Sequence, residues 1–328
     1  MSRKISFSKA LNEAIHQSME RDENVFIIGE DVAKMGGDFG ITQGVWHKWP
    51  KRAKDTPLSE QAILGLSIGA SMVGLRPVAE IMFADFITCC FDQIVNNAAK
   101  IHFMHFGKAC APLVVRTATG GGMRAAYHHS QCVEPWLMNV PGLIIVAPTT
   151  PYEAKGLLNA SVRENNPVIF LEHKGLYNKK GEVPEEYYEV PLCEAAVKRE
   201  GSDITVVASM TMVDLALQAA DMLEGEGISV EVIDPRTLFP LDKETIIKSV
   251  AKTNRLALVQ EGPKFMGYAA EISAMVAEDL FEYLVAPIKR ITSEDVPIAF
   301  ASEMEDFVMP DLTKVLAGIR NTVAYLAV

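Results

Sequence analysis

Apolar segments that alternate with helical patterns run along the whole chain, and this alternation constrains the fold most strongly. Apolar residues recur every four positions from Phe7 to Met19, and a segment typical of a buried strand follows at residues 25–28. The alternation resumes in the second half, where residues 204–208 and 256–260 have the pattern of buried strands. Strands that alternate with helices form parallel sheets covered by helices on both faces. The sequence therefore predicts the α/β class.

A polar, charge-rich stretch at residues 178–189 divides this alternation into two halves. A chain of 328 residues exceeds the size at which one hydrophobic core usually keeps growing, and polar stretches of this kind commonly separate domains. We therefore predict two parallel-sheet α/β domains, at residues 1–180 and 195–328, joined by a linker at about residues 181–194.

Local signals predict how several elements begin and end. Ser6 is placed to cap the first helix, and Thr150-Pro-Tyr-Glu153 has the sequence of a capping box with proline at the first helical position. Residues 85–100 have the apolar spacing of one long helix. Residues 117–141 have no regular pattern, and an irregular segment of that length inside a compact domain is usually functional.

The net charge narrows the classes of partner. A formal charge of −11 argues against nucleic-acid binding, which needs a basic face to neutralise phosphates. It permits a basic protein partner, for which the acidic cluster at residues 303–306 is a candidate surface. The alternative for that cluster is a solvated acidic turn.

The cysteines and the hydropathy pattern predict a cytoplasmic protein. Five cysteines without CxxC spacing favour a reducing compartment and support neither a disulfide framework nor a zinc site. The adjacent Cys89 and Cys90 are expected to be buried small apolar residues. The N-terminal sequence has no apolar signal-peptide core, and no run of 18 uncharged apolar residues occurs.

Candidate functional residues follow the strand patterns of the first half, because parallel sheets bind ligands at the carboxyl ends of their strands. Glu30 follows the first strand, Glu60 begins an apolar helix, and Met82 and Phe86 follow the third strand. Glu60 either caps its helix or is a carboxylate held for acid–base chemistry. Met82 and Phe86, taken alone, have the spacing of ordinary core residues.

His129, in the long irregular segment, is either a loop histidine with satisfied hydrogen bonds or a general acid–base group. No phosphate-binding signature accompanies it. Gly36-Gly-Asp-Phe-Gly40 does not close a strand–turn–helix unit, and Gly120-Gly-Gly122 is not followed by the lysine of a phosphate-binding loop. The residues by themselves indicate an acidic, two-domain α/β protein with a candidate carboxylate–histidine site.

The same segments resemble one family over essentially the whole chain, the β subunit of the first component of 2-oxo acid and acetoin dehydrogenase complexes. Each matching segment is short, but their common order and spacing are highly specific. The segments are Gly29-Glu-Asp31, Asp55-Thr-Pro-Leu-Ser-Glu60, Gly74-Leu-Arg-Pro77, Phe91-Asp-Gln93, His129-Ser-Gln131, Pro151-Tyr-Glu-Ala-Lys-Gly156 and Asp234-Pro-Arg-Thr-Leu238.

The resemblance implies a pyrimidine-binding domain of the thiamine diphosphate superfamily, followed by a transketolase C-terminal-like domain. In that family a separate α subunit binds the diphosphate through Mg²⁺ and a Gly-Asp-Gly…Asn motif. This sequence contains no Gly-Asp-Gly. The resemblance therefore implies an α partner in an α2β2 heterotetramer, and a lipoyl acyltransferase component that docks on the second domain.

The resemblance also implies roles for the candidate residues. Glu60 matches the carboxylate that faces N1′ of the aminopyrimidine, and Glu30 matches an acidic position lining the same pocket. His129 matches the histidine that serves proton transfers. The positions that pack on or near the aminopyrimidine match Leu58, Met82 and Phe86.

Related β subunits hold a structural potassium ion, mainly through backbone oxygens. The matching positions are Leu113, Ser161, Val162, Glu164 and Asn166. Glu164 stands where many relatives have aspartate, which departs from the pattern.

The segment Met82-Phe-Ala-Asp-Phe86 with Cys89 and Cys90 resembles acetoin dehydrogenases, whereas branched-chain relatives more often have glutamine and tyrosine at positions 82 and 86. Tyr127 departs from the acetoin pattern, which favours a small or amide residue. Acetoin is the predicted substrate, with pyruvate next and branched-chain 2-oxo acids as a further alternative. One rival is half of a split transketolase, which passes a ketol unit to a sugar phosphate. The non-enzymatic rival is an acidic scaffold subunit.

Overall fold

The computed structural model describes residues 2–325, and the chain forms two compact units. The first unit comprises the chain up to Thr119 together with Trp136–Leu192, and the second comprises Gly120–Pro135 together with the chain from Cys193 onward. Much of the irregular segment thus belongs to the second unit. The predicted linker begins within the strand Lys180–Pro184, and the predicted domain boundaries stay a prediction.

The first unit contains a parallel sheet of order β6-β7-β5-β4-β2-β3, and a separate antiparallel pair, β1 with β8. Its strands are β1 Ser2–Ser6, β2 Val25–Gly29, β3 Ala53–Asp55, β4 Arg76–Phe83, β5 Val114–Thr119, β6 Ile144–Val146, β7 Val168–His173 and β8 Lys180–Pro184. Its helices are α1 Phe7–Arg21, α2 Val45–Lys48, α3 Glu60–Met72, α4 Ile101–Met104 and α6 Pro151–Arg163, with 3₁₀ turns at Ala84–Cys90 and Lys174–Leu176. The short helix α5, Glu134–Met138, lies within the segment 117–141, for which the sequence predicted no regular element.

The second unit has a mixed sheet of order β14-β13-β10-β11-β9, in which only the edge strand β9 runs antiparallel to its neighbour. Its strands are β9 Ala196–Arg199, β10 Ile204–Ala208, β11 Val230–Asp234, β12 Thr237–Phe239, β13 Leu256–Pro263 and β14 Lys289–Ser293. Its helices are α7 Thr211–Glu224, α8 Lys243–Thr253, α9 Tyr268–Leu280, α10 Ser302–Val308 and α11 Leu312–Val323, with a 3₁₀ turn at Phe281–Tyr283.

The predicted α/β class is confirmed in both units, because helices cover sheets whose strands are mainly parallel. In the second unit, buried valines from β10, β11 and β13 pack against small residues of α7 and against α11. Strand β9 escaped prediction because its residues, Ala-Val-Lys-Arg, are partly exposed and half of them are charged. A sheet edge tolerates such residues, and charges there discourage pairing with other chains.

The predicted caps are confirmed. The Ser6 side chain accepts a hydrogen bond from the Lys9 amide, and the carboxylate of Glu153 completes the capping box by accepting from the Thr150 amide at 3.0 Å. Caps of this kind each stabilise a helix by about 1 kcal/mol. They are local, so the sequence alone was enough to place them.

The long helix predicted at residues 85–100 was wrong. The structure has a 3₁₀ segment, Ala84–Cys90, followed by a π-helical segment, Gln93–Ala98. The Thr88 hydroxyl donates to the carbonyl of Asp85 at 2.9 Å, which competes with regular α-helical bonding of that carbonyl. The apolar residues have helical spacing, but this spacing does not distinguish an α-helix from a 3₁₀-helix or a π-helix.

Candidate functional site

The ends of three adjacent strands define the candidate site in the first unit. Strands β3, β2 and β4 are neighbours and run parallel, so their carboxyl ends lie on one edge of the sheet. Glu30 follows β2 directly, and Glu60 begins α3 shortly after β3. Met82 is the penultimate residue of β4, and Phe86 lies in the 3₁₀ segment that follows it. The order of the strands thus brings these predicted residues to the same edge.

The turn that presents Glu30 depends on a close backbone approach at Gly29. A Cβ atom at Gly29 would lie 2.9 Å from the carbonyl oxygen of Glu80 and 2.9 Å from Val32 Cγ1, so a larger residue would displace the strand. After Glu30 the chain adopts a left-handed conformation at Asp31, with φ of 54°. The amide of Ala33 then donates to Asp55 Oδ1 at 2.7 Å, which ties the turn to the end of β3.

Glu30 and Glu60 form an electrostatically coupled pair. Burial raises the pKa of Glu30, and the negative charge of Glu60 raises it further. In the described part of the chain, the buried Oε1 of Glu30 has no hydrogen-bond partner. A buried oxygen without a partner loses the free energy of hydration, so a ligand that brings a donor to it would be stabilised. The pair therefore suits a ligand with polar ring nitrogens or an amino group.

Aromatic and apolar side chains stand beside this pair. The Phe83 ring contacts the Phe86 ring edge-on, with centroids 6.0 Å apart, and Met82 and Phe86 are half-buried. Cys90 is buried, and burial, followed by the charge of Glu60, raises the pKa of its thiol to about 12. Leu58 is 83% exposed. Leu58 therefore offers an apolar surface at the entrance of α3 rather than a core contact.

The expectation that both adjacent cysteines are buried was half wrong. Cys90 is 1% exposed, but Cys89 is an exposed free thiol. Successive residues of a 3₁₀ segment point in different directions, so one of two neighbours faces solvent when the other faces the core.

Beneath the site lies a buried ion network that was not identified from the sequence. Arg116 on β5 donates to Glu172 on β7 through Nε at 2.7 Å and to Glu80 on β4 through Nη1 at 2.6 Å. The Tyr177 hydroxyl donates to Glu172 at 3.0 Å. Burial raises the pKa of Glu172 and outweighs the opposing effect of Arg116. The network joins β4, whose end carries part of the site, to the neighbouring strands β5 and β7.

His129 lies in the second unit, in the loop Gly120–Pro135. Its Nδ1 lies 3.0 Å from Nδ1 of His128, so one ring donates and the other accepts. His129 is half-buried, whereas His128 is exposed. The structure therefore gathers Glu30, Glu60 and the apolar residues in one unit, while the predicted histidine belongs to the other.

The acidic cluster at residues 303–306 is not a uniformly solvated face. The Glu305 side chain is fully buried, and its carboxylate accepts hydrogen bonds from the amide of Gly122 at 2.7 Å and that of Arg124 at 3.2 Å. Asp306 is 66% exposed and pairs with the Arg124 guanidinium. The three glycines at residues 120–122 were noted in the sequence only because no phosphate-binding lysine follows them. The sequence did not predict that Glu305 binds this loop.

Four of the five predicted potassium positions lie at the C-terminal end of α6 and in the turn after it. The carbonyl oxygens of Val162 and Glu164 each accept a hydrogen bond from Arg76 Nη1 at 3.0 Å. A carbonyl oxygen has a second lone pair, but a potassium ion on these two oxygens would lie against a guanidinium cation. The donor set therefore does not fit potassium while Arg76 holds this position.

Among the described residues, no group of three or more His, Cys, Asp and Glu side chains is arranged to hold a metal ion. Within residues 2–325, no helix has both the length and the apolar character needed to cross a membrane.

Comparison with known families matches both halves of the chain. The family described as "Transketolase, pyrimidine binding domain" matches residues 3–180. The family described as "Transketolase, C-terminal domain" matches residues 193–315.

Several named relatives match this chain almost end to end. The β subunit of the acetoin:2,6-dichlorophenolindophenol oxidoreductase of Cupriavidus necator is 45% identical, over 98% of this chain and 98% of the relative. The β subunit of the 2-oxoisovalerate dehydrogenase of Bacillus subtilis is 47% identical, over 97% of this chain and 98% of the relative. The β subunit of the pyruvate dehydrogenase E1 component of Rickettsia felis is 42% identical, over 98% and 99%.

Among solved structures, a chain described as "Split gene transketolase, inactive beta4 tetramer" superimposes with a TM-score of 0.78. The superposition covers 97% of this chain and 98% of that chain, at 22% sequence identity. At that identity the likeness establishes the fold alone.

Proposed function

The chain belongs to the family of transketolase-like β subunits of dehydrogenase first components, and from that premise we propose that it cleaves acetoin together with an α subunit. The two-carbon unit would pass to the lipoyl group of an acyltransferase component. The observation that carries the proposal is the Glu30–Glu60 pair, with a buried oxygen that has no partner among the described residues, at the carboxyl edge of β2.

Enzymes of this family use thiamine diphosphate, which when bound supplies the carbanion chemistry that no protein side chain provides. Glu60 would hold a proton at N1′ of the aminopyrimidine, and Glu30 would line the same pocket. Leu58, Met82 and Phe86 would pack on or near the ring, and His129 would move protons to and from the substrate. These residues orient and tune the cofactor.

The α2β2 heterotetramer is part of the proposal, with the diphosphate and Mg²⁺ held by the α subunit. The outer face of α3 supports a partner surface at the site, because it begins at Glu60 and is apolar. Leu66 is 56% exposed there, and Val73, directly after the helix, is 80% exposed. Large exposed apolar side chains beside a candidate catalytic residue indicate a surface that a protein partner covers.

Two finer assignments stay outside the proposal. Potassium is not assigned to the turn after α6, because Arg76 already supplies a positive charge to its carbonyl oxygens. The cytoplasmic location stays a prediction from the sequence.

Acetoin is proposed ahead of pyruvate and 2-oxoisovalerate because of Met82 and Phe86 at the pocket edge, where branched-chain relatives more often have glutamine and tyrosine. Overall identity does not separate the substrates, because the acetoin and 2-oxoisovalerate relatives are 45% and 47% identical to this chain.

The test is a substrate panel on the complex of this chain with its α subunit, in the presence of thiamine diphosphate and Mg²⁺. Reduction of 2,6-dichlorophenolindophenol reports turnover of acetoin, pyruvate and 2-oxoisovalerate. We expect the highest kcat/KM with acetoin. A higher kcat/KM with either 2-oxo acid would reassign the substrate. Transfer of a ketol unit to a sugar phosphate, with no reaction toward lipoamide, would support the split transketolase instead.

A further inference from the structure

The loop that carries His129 has an unfavourable backbone conformation. Between Gly120 and Ala126, four residues have positive φ, and two of them are not glycine: Arg124 at 57° and Ala126 at 60°. Residues other than glycine, asparagine and aspartate rarely adopt this conformation, because their Cβ atom crowds the backbone there. Such a loop keeps one conformation only when its surroundings hold it there.

The side chain of Glu305, in helix α10, makes most of the hydrogen bonds that fix this loop. Its Oε1 accepts from the Gly122 amide at 2.7 Å, and its Oε2 accepts from the Arg124 amide at 3.2 Å and from Arg124 Nη1 at 2.9 Å. The side chain is fully buried, so water does not compete for these bonds. Hydrogen bonds to a buried charged carboxylate are stronger than those between neutral groups.

A second carboxylate and a close contact hold the middle of the loop. The Gly121 amide donates to Oε1 of Glu261 at 2.6 Å, and Thr211 donates to the other oxygen of that carboxylate at 3.1 Å. A Cβ atom at Gly121 would lie 2.9 Å from Met309 Sδ, so the loop fits closely against the residue that follows α10. Three backbone amides of the loop, those of Gly121, Gly122 and Arg124, are thus bound by two carboxylates of the second unit.

The held segment continues directly into the histidine. The amide of His129 donates to the carbonyl of Ala126 at 3.4 Å, so the turn that places His129 begins at the last left-handed residue of the loop. A shift of the loop backbone would therefore move the imidazole. Displacement of a reacting group by about 1 Å can lower turnover by as much as ~100-fold.

We propose that Glu305 is a positioning residue: its carboxylate fixes the 120–126 loop and thereby sets the position of His129. The inference rests on the proposed role of His129 as the proton-transfer group. Glu305 does not itself reach the reacting atoms. Within α10 this role belongs to Glu305 alone, and it acts through the backbone of the loop.

The test compares Glu305→Gln with Asp306→Asn in the complex with the α subunit. Asp306 binds the same guanidinium but is 66% exposed, and it contacts the side chain of Arg124. Glutamine keeps the length of Glu305 but has one acceptor oxygen and no charge. We expect Glu305→Gln to lower kcat by about 10-fold or more with a smaller change in KM, and Asp306→Asn to leave both near wild type.

A second measurement reports on the loop without any assay of activity. Trypsin cleaves after Arg124, so the rate of cleavage at that bond measures how often the loop opens. We expect faster cleavage in Glu305→Gln than in Asp306→Asn. If cleavage stays at the wild-type rate in Glu305→Gln, the carboxylate does not hold the loop. If cleavage rises while kcat is unchanged, the loop does not position the histidine. Both results overturn the proposal.

Failure of the proposed function is distinguishable from failure of this inference. If the wild-type complex is inactive toward every substrate tested, the proposed role of His129 fails. Tryptic cleavage would still show whether Glu305 fixes the 120–126 loop. If Glu305→Gln does not fold, amide hydrogen exchange in the wild-type complex tests whether the 120–126 loop is fixed. Slow exchange in a peptide spanning residues 120–126 supports the proposal. Exchange at the rate of an open loop contradicts the proposal.

Discussion

Arg116 Nε donates to Glu172 Oε1 at 2.7 Å from the neighbouring strand, in a position where both side chains are almost completely buried. A second carboxylate, Glu80, accepts from the same guanidinium. Removing one partner of a buried ion pair leaves an uncompensated charge, which costs more than the pair contributes. We therefore expect the stability of the first unit to be sensitive to the loss of any one member of this network.

Replacing Arg116 should destabilise the first unit. For Arg116→Met we expect the free energy of unfolding to fall by about 3–5 kcal/mol, because the buried Glu172 and the partly buried Glu80 both lose their counter-charge. Urea denaturation of the isolated chain measures this change. Arg320→Met is the control, since that arginine pairs with Glu226 at the exposed surface and should have little effect. Stability of Arg116→Met equal to that of the control would show that the network is dispensable.

The position of the Arg76 guanidinium leads us to expect that potassium does not raise the thermal stability of the protein. Because it already bridges the carbonyl oxygens of Val162 and Glu164, we expect the same Tm in KCl as in NaCl at equal ionic strength. Arg76→Met should lower the free energy of unfolding by about 1–3 kcal/mol, because the carbonyls of Val162 and Glu164 lose their donor. Arg163→Met, at the exposed last residue of α6, should lower it much less. A wild-type Tm that rises selectively with KCl would contradict this assignment.

Glu134 predicts a pH dependence of stability. It is almost fully buried, and burial, reinforced by the charge of Glu261, raises its pKa from 4.5 to about 7. A raised pKa means that the folded state binds the proton more tightly than the unfolded state. The stabilisation is therefore fully present below pH 4.5 and is lost as the pH rises toward 7.

Glu134→Gln should remove this dependence. Relative to wild type, we expect the free energy of unfolding of the variant to improve by roughly 3 kcal/mol between pH 4.5 and 7 and to level off above that range. Chemical denaturation at a series of pH values checks the slope. A constant difference between variant and wild type across that range would show that Glu134 does not take up a proton on folding.

Glu60→Gln tests the candidate acid–base residue. In the complex with the α subunit we expect kcat to fall by about 100-fold to 10,000-fold, because glutamine cannot exchange a proton with the cofactor. Circular dichroism should show an unchanged fold. Glu244→Gln makes the same chemical change in the first turn of α8 and should leave kcat unaffected. Near-normal turnover of Glu60→Gln would remove that residue from the mechanism.

Local signals explain why part of this structure followed from the sequence. The caps at Ser6 and Thr150 depend on residues three positions apart, and the apolar patterns placed Glu30 directly after a strand and Glu60 at the start of a helix. Parallel topology then brings such ends to one edge. The resemblance added the chemical roles, which spacing alone left open.

The features that escaped prediction depend on distant partners. Arg116 and Glu172 are 56 residues apart, and their pairing requires knowing that β5 and β7 are neighbours. Glu305 and Gly122 are 183 residues apart, so an acidic residue that is buried in the fold has the sequence pattern of a solvated turn. Burial of a charge is decided by tertiary structure, and no local pattern reports it.

The central claim is that this chain supplies one half of a shared cofactor site. The most direct measurement is thiamine diphosphate-dependent turnover of the best donor by the isolated chain and by its complex with the α subunit, at equal concentration of this chain. We predict no measurable turnover for the isolated chain and full turnover for the complex. Equal turnover by the two preparations would contradict the claim, because one polypeptide would then bind the whole coenzyme.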